Sequence, residues 1–310
     1  MLEVTNLSIH FTRYTRGLYR TLLTPVVDLD LWVQAGEIVA VVGSSGSGKS
    51  LLAHAILGIL PVNAKVEGEI RFKGQLLTPQ RQAKARGREI ALIPQSVSFL
   101  DPLMRIGAQV RHAAHLSGKN QHSAATQRAI FERYQLPLEA ENLYPFQLSG
   151  GMARRALVST AVVGEAELLL ADEPTPGLHP EVVQETLRHL RELANEGRGV
   201  VLITHDIQSA LQVADQIAVF YAGTTVEIAP TTAFSGRGEG LLHPYTQALW
   251  RSLPQNEFEP LPGMQPSPHD LPSGCLFAPR CPIATPACQA ERPAMRTLAQ
   301  NQVRCIHAQR

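Results

Sequence analysis

Between residues 26 and 33 the chain reads VVDLDLWV, with apolar side chains at Val27, Leu29, Leu31 and Val33. That period of two predicts a strand with one buried face, and residues 1–11 read as a strand before it. EIVAVV (37–42) is apolar without alternation, as expected of a strand buried on both faces. A glycine-rich turn follows, and then a helix from about Lys49. GEIRFKG reads as a short antiparallel strand between turns, and EIALIP (89–94) as a second buried strand. Residues 104–143 read as helical and polar. The pattern then alternates: LLLA (168–171), a helix from about Pro180, GVVLIT (199–204), a helix from Asp206, and QIAVFY (216–221). Strands alternating with helices predict a parallel sheet covered on its faces, with 104–143 as an inserted subdomain.

Near residue 235 the pattern stops. FSGRGEG is linker-like, and beyond Pro254 prolines recur at 260, 262, 266, 268, 272, 279, 282, 286 and 293. No long periodic element fits there. Residues 236–310 are expected to be an extension held in shape by something other than a large core. All four cysteines lie in it, at 275, 281, 288 and 305. The basic stretch RQAKARGR (81–88) reads as a solvated loop.

Of the 310 residues, 44% are apolar and 18% charged, ordinary for a protein with a sizeable core. A net charge of +1 gives no global field for nucleic acid or an anionic bilayer. The start, MLEVTNLSIHF, lacks the basic and apolar blocks of a secretion signal. The longest apolar helical run, LLAHAILGILPV, is far shorter than the roughly 20 residues that span a bilayer. The expected location is the cytosol, with docking on a membrane protein left open.

GSSGSGKS (43–50) fits G-x-x-x-x-G-K-[ST] between a buried strand and a helix. Gly43, Gly46 and Gly48 let the backbone close around phosphate oxygens. The amides of Ser45, Gly46, Ser47, Gly48, Lys49 and Ser50 can converge on the anion, with Ser44 beside them in the loop. All eight loop residues, Ser47 included, are thus expected to bind the nucleotide. Lys49 supplies a point charge to the outer phosphates, and the Ser50 hydroxyl suits Mg²⁺. LLLADE (168–173) ends an apolar strand in two acids, at the sheet edge where ligands bind in such folds. Asp172 would hold Mg²⁺ and Glu173 would polarise the attacking water as general base. Gln95 and His205, each just past a strand, could reach the metal water or the γ-phosphate. LSGGM (148–152) opens a helix whose free amides suit an anion.

In this order and spacing, the motifs resemble those of the ATP-binding cassette (ABC) ATPases. The resemblance implies an α/β fold: a RecA-like P-loop core over 1–235, an antiparallel β-subdomain, and a helical subdomain over about 96–164. The Pro/Cys-rich extension follows at 236–310. ATP and Mg²⁺ are the implied cofactors, with Ser50, Gln95 and Asp172 toward the metal and Glu173, His205 and Gln95 as the catalytic set. Family members stack adenine on an aromatic residue of the first strand region; Phe11 is the choice here, with Tyr14 and Tyr19 as alternatives. A helix of at least 13 residues spans about 20 Å, which carries Ser149 away from the Asp172 end of its own site. Ser149, Gly150 and Gly151 are therefore expected to bind the ATP of a second cassette arranged head to tail.

YPFQLSGGM, HPYTQALWRSLP and GCLFAPRCPIATPAC resemble the oligopeptide, dipeptide and nickel importer subfamily. The implied protein is a peripheral ATPase on the cytoplasmic face of the inner membrane. Its implied partners are a paralogous second cassette, two permease subunits and, indirectly, an extracytoplasmic solute-binding protein, with no nucleic acid. The substrate expectation leans to nickel or a metal chelate over a peptide, although no histidine pattern suggests that this chain binds nickel. The spacing C-x₅-C-x₆-C-x₁₆-C suits structural zinc poorly. Some relatives hold a [4Fe–4S] cluster on such cysteines; cluster, free thiols or zinc, and disulfides all stay open. His179 stands where the family usually has Asp, which puts coupling across the dimer in question. Two other classes fit less well: a DNA-repair ATPase, for whose arms the 104–143 insert leaves no room, and a regulatory subunit with weak hydrolysis, opposed by Glu173 and His205.

Overall fold

The computed structural model describes residues 1–14, 20–44, 46–116 and 123–309. The strands are β1 (Leu2–Tyr14), β2 (Arg20–Val33), β3 (Ile38–Gly43), β4 (Ala64–Phe72), β5 (Gln75–Leu76), β6 (Ile90–Ile93), β7 (Leu168–Asp172), β8 (Gly199–Thr204), β9 (Gln216–Tyr221), β10 (Thr224–Pro230), β11 (Arg296–Leu298) and β12 (Asn301–Val303). The helices are α1 (Lys49–Leu57), α2 (Pro79–Ala85), α3 (Ile106–Leu116), α4 (Ser123–Arg133), α5 (Gly150–Val162), α6 (Pro180–Asn195), α7 (Ile207–Val213), α8 (Pro244–Arg251) and α9 (Pro286–Ala290). One sheet has the order β2-β1-β4-β5 and is antiparallel. The other has the order β11-β12-β10-β9-β3-β8-β7-β6. Its section from β9 to β6 is parallel, and β10, β12 and β11 add to it antiparallel.

The unbroken apolar runs feed two cores at once. Side chains alternate across a strand. Ile38, Ala40 and Val42 thus join one core with Leu169, Leu202 and the α3–α7 helices, while Val39 and Val41 join the other with Leu170, Ile203, β1, β2 and α1. All six residues of β3 and all five of β7 are buried. Full burial of each Val, Leu or Ile contributes about 1.5–3 kcal/mol, so this sheet is the rigid frame of the molecule.

Two expectations are corrected. RQAKARGR is not a loop: its first half lies in α2, where the Thr78 hydroxyl accepts from Arg81 N and Pro79 fills the first helical position. Arg81 forks onto Glu89 at 2.6 and 2.5 Å, so its charge is paired. The extension does share the large core. Tyr245, Trp250, Leu276 and Phe277 belong to the same apolar cluster as Ile38 and Val42. Few apolar anchors among many prolines give no period to read, although they bury fully.

Candidate functional site

β3 ends at Gly43, and the loop to α1 turns beneath the other strand ends. A Cβ at Gly43 would stand 2.5 Å from the Phe220 carbonyl oxygen, so no side chain fits against β9 there. Gly48 caps α1 at φ 90°, and a Cβ would lie 2.8 Å from Val26 Cγ2. Both glycines are fixed by close approach, and Gly48 also by its left-handed backbone. Lys49 Nζ donates to the carbonyls of Gly43 (2.8 Å) and Ser44 (2.9 Å), which holds the ammonium inside the curl of the loop. Burial pushes the Lys49 amine down, and the charges of Glu173 and Asp172 oppose that shift.

Ser47 has its side chain fully buried and is not among the residues that line the cavity. Its N–H is already spent inside the loop, donating to the Ser44 carbonyl at 3.2 Å. Its Oγ turns inward toward Gly43, where an added Cβ would come within 3.0 Å of it. The hydroxyl finds no partner among the described residues. The Ser47 side chain therefore packs inside the turn.

From the neighbouring strands come the acids. Asp172 ends β7 and is buried; its Oδ1 accepts from Ser50 Oγ at 3.1 Å. Burial pushes its carboxyl up, opposed first by that hydroxyl. Glu173 has φ 47° and donates its N–H to Ile203 O at 2.9 Å. A left-handed glutamate at a strand end is strain of the kind stored at functional sites, about 1–3 kcal/mol. Its carboxylate lies 3.0 and 2.9 Å from His205 Nδ1. Ser50 and Asp172 together offer hard oxygens side by side, a donor set that suits Mg²⁺.

The cavity at these strand ends is ≈ 630 Å³, lined by Pro25, Gly46, Gly48, Lys49, Ser50, Leu51, Gln95, Glu173, Pro176 and His205. The expected residues Gln95, Glu173 and His205 are thus brought together with the loop, as parallel strand ends dictate. Ser45 lies outside the described residues. Phe11 is not among the lining residues; it sits opposite Leu23 and Ala64 in β1 and packs partly against the second core. Tyr14 falls in β1 with its side chain undescribed, and Tyr19 lies outside the described residues. The wall on that side is Pro25 in β2, which carries no sequence signal of its own.

LSGGM behaves as expected locally. Ser149 N-caps α5, its hydroxyl accepting from Met152 N at 3.3 Å. Ser149 and Gly150 are exposed, and a Cβ at Gly150 or Gly151 would meet nothing within 4 Å. None of the three lines the cavity. His179 stands at the start of α6, where its carbonyl accepts from Val182 (2.9 Å) and Val183 (3.0 Å).

The four cysteines are free thiols. Cys275 N donates to Cys288 O at 2.8 Å, which joins two of their segments. Burial pushes the thiols of Cys275 and Cys281 up, against ionisation. Among the described residues no group of three or more His, Cys, Asp or Glu side chains is placed to hold a metal ion. The arrangement therefore lends the expected [4Fe–4S] cluster no support, and the extension takes its order from protein contacts. Among the described residues no helix is long and apolar enough to cross a membrane.

Comparison with known proteins matches residues 26–176 to the family described as "ABC transporter". Residues 226–288 match "Oligopeptide/dipeptide transporter, C-terminal region". The dipeptide transport ATP-binding protein DppD of Escherichia coli is 37% identical over 322 residues, covering 99% of this chain and 96% of that protein. DppD of Haemophilus influenzae is 34% identical over 98% of this chain and 94% of its own length. A putative peptide import ATP-binding protein of Brucella abortus is likewise 34% identical, over 98% and 94%. Among solved structures, the ATP-binding cassette MJ0796, in a dimeric post-hydrolysis state bound to ADP and Pi, superposes with TM-score 0.65 and 24% identity. That likeness covers 74% of this chain and 99% of the other, and it speaks to the fold.

Proposed function

This chain belongs to the ABC transporter ATPases, the ATP-hydrolysing subunits of transporters, and we propose that it powers the import of peptides. The observation that carries the site assignment is the convergence of Lys49, Ser50, Gln95, Glu173 and His205 on one cavity at the ends of parallel strands. The loop amides that face the cavity bind the phosphates of ATP together with Lys49. Ser50, Asp172 and Gln95 would hold Mg²⁺, which when bound would supply positive charge against the phosphates. Glu173 takes up the proton of the attacking water, and His205, in contact with its carboxylate, orients it. Ser149, Gly150 and Gly151 serve the ATP of a second cassette; their place outside the chain's own cavity supports that reading.

The substrate class follows the relatives, whose names specify dipeptides and peptides. That favours a peptide over nickel or a metal chelate. A paralogous partner cassette, two permease subunits, a solute-binding protein and a peripheral place at the inner membrane complete the proposal. A cluster on Cys275, Cys281, Cys288 and Cys305 forms no part of it; iron and zinc analysis of anaerobically purified protein decides that question.

Glu173→Gln tests the chemistry. ATP affinity should stay within about threefold, because the loop is untouched. Turnover in the reconstituted transporter should fall by about 10²–10⁴, the range for a general base. Near-normal turnover would remove Glu173 from its role. Ser149→Arg separates the two addresses of the signature residues. The isolated chain should bind ATP normally, whereas the assembled transporter should lose ATP-driven closure. Loss of ATP binding by the folded isolated chain would place Ser149 in its own site.

A further inference from the structure

Arg154 lies on α5 and is only 4% exposed. Among the described residues no carboxylate lies within ion-pair distance of it, although the charges of Asp172 and Glu173 act on it and oppose the downward push of burial. Its Nη1 donates to the carbonyls of Pro94 (2.7 Å) and Gln95 (2.6 Å), and its Nε to the carbonyl of Pro174 (3.2 Å). Nη2 is buried without a partner among the described residues. A buried guanidinium is costly to hold, and carbonyl dipoles offset the desolvation only when the geometry is fixed. Pro94 and Pro174 each have φ locked by the ring, which removes one of the two soft backbone torsions at each of these positions. Pro174 directly follows Glu173, and the Gln95 carbonyl belongs to the residue that lines the cavity. One side chain thus holds the backbone of both turns that present Gln95 and Glu173.

The other end of α5 is Ser149, exposed and outside this cavity. Arg154 is five residues further on, about 7.5 Å along the axis, within one rigid helix. The adjacent Arg155 points elsewhere: its Nη1 donates to Gln135 O at 2.7 Å, tying α5 to the turn after α4. Consecutive arginines on one helix therefore grip the catalytic turns and the turn after α4.

We propose that Arg154 is a positioning residue that couples the exposed start of α5 to the catalytic turns bearing Gln95 and Glu173. The inference rests on the ATPase reading above. When Ser149 and its neighbours engage a second nucleotide, α5 shifts as a unit. Arg154 carries that shift to the Gln95 and Pro174 carbonyls, and so sets whether Glu173 stands at the attacking water. The chain's own hydrolysis then depends on whether the other site is filled.

The test uses the transporter complex in vesicles, with Arg154→Met and Arg154→Lys on this chain. Arg154→Met removes every bond to the three carbonyls. Turnover per folded chain should fall at least tenfold, while ATP affinity stays within about threefold, because the phosphate loop with Lys49 and Ser50 is untouched. Arg154→Lys keeps the charge but cannot fork between Gln95 and Pro174. It should fold, turn over several-fold more slowly per folded chain, and change the dependence of turnover on ATP relative to wild type measured in parallel. A merely structural role would lower melting temperature and leave turnover per folded chain and the ATP dependence unchanged. Turnover and ATP dependence both equal to wild type in folded Arg154→Lys overturn the proposal, even if Arg154→Met fails to fold. So does a loss of ATP affinity in proportion to turnover. Ser149→Ala measured alongside keeps the failures apart: normal turnover there sinks the two-cassette reading itself, whereas impaired Ser149→Ala with normal Arg154→Lys sinks only the coupling.

Discussion

Along β3 and β7 every residue is buried, and neighbouring strands hold by parallel ladders and apolar contact. The extension reaches the same sheet with strands of three residues each, β12 against β10 and β11 against β12. Beside its apolar anchors Tyr245, Trp250, Leu276 and Phe277, it holds to the sheet through polar bonds. Arg304, 5% exposed, pairs with buried Asp30 of β2 and donates to the carbonyls of Thr225 (3.1 Å), Pro293 (3.0 Å) and Asp28 (2.7 Å). Asn301 donates to Glu227 at 2.8 Å, and Arg292 to Asp28 at 2.8 Å. Where a chain can form long strands, apolar burial supplies the order. Where prolines forbid them, scattered apolar anchors and a few forked cations that stitch backbone carbonyls together supply it. The two regions should therefore fail differently.

The largest expected difference lies at Arg304. Arg304→Met leaves Asp30 charged and buried without its partner, at a cost of about 3–5 kcal/mol. The loss should appear first in the extension, as early proteolysis beyond Pro230, with the ATP cavity still able to bind nucleotide. Removing both charges, Arg304→Met with Asp30→Leu, should recover much of the melting temperature, since an apolar pair can replace a buried ion pair. If the double variant is no better than the single, the bonds from Arg304 to carbonyls dominate over the ion pair.

Acid sharpens the comparison next. His243 in the extension is fully buried, and burial pushes it down to about 3. Its Nδ1 accepts from Tyr245 N at 3.0 Å, capping α8, so protonation would destroy the cap. His189 on α6 packs against the core with Tyr134 OH at 2.7 Å, and burial pushes it down to about 4. Both take protons less readily folded than unfolded. The unfolded chain binds more protons below about 6.5, so stability is full above that pH and falls as the pH drops. The loss ends near pH 4 for His189 and near pH 3 for His243. At pH 5 each contributes a loss of about 2 kcal/mol at 1.36 kcal/mol per unit. His243→Asn can keep a cap without titrating, so its acid melting curve should be shallower than wild type. An unchanged curve would mean that the extension is not what acid loosens.

The same contrast explains what could be read from the sequence. Phosphate chemistry dictates Gly43, Gly48, Lys49 and Ser50 within one short stretch, and apolar strands announce Asp172, Glu173, Gln95 and His205 at their ends. The motif leaves its intervening positions free, so nothing in residue type told the inward Ser47 from its neighbours. The parallel sheet was legible because its strands have six, five and six residues in β3, β7 and β8. β11 and β12 are too short to show a period. Arg154 was invisible for a different reason: its partners are backbone carbonyls 60, 59 and 20 residues away, and a carbonyl leaves no mark on residue type. Pro25 forms a wall without a signal, and Phe11 is a choice by residue type alone, so the adenine contact stayed unread.

The smallest effect is expected where the two regions touch. Ser44 Oγ in the phosphate loop donates to Gln265 Oε1 of the extension at 2.8 Å, at an exposed position, and Thr24 N donates to Pro268 O at 3.3 Å. A single hydrogen bond of this kind contributes about 0.5–1.5 kcal/mol, because water competes for both groups. Gln265→Ala should therefore change the KM for ATP by no more than about tenfold, with kcat and melting temperature close to wild type. The direction is informative. A lower KM would mean that the extension holds Ser44 away from the nucleotide, whereas a higher KM would mean that it preorganises the loop. No change at all, measured together with Ser44→Ala as a control on the donor, would leave the extension joined to the sheet through Arg304, Asn301 and Arg292 and energetically separate from the phosphate loop it touches.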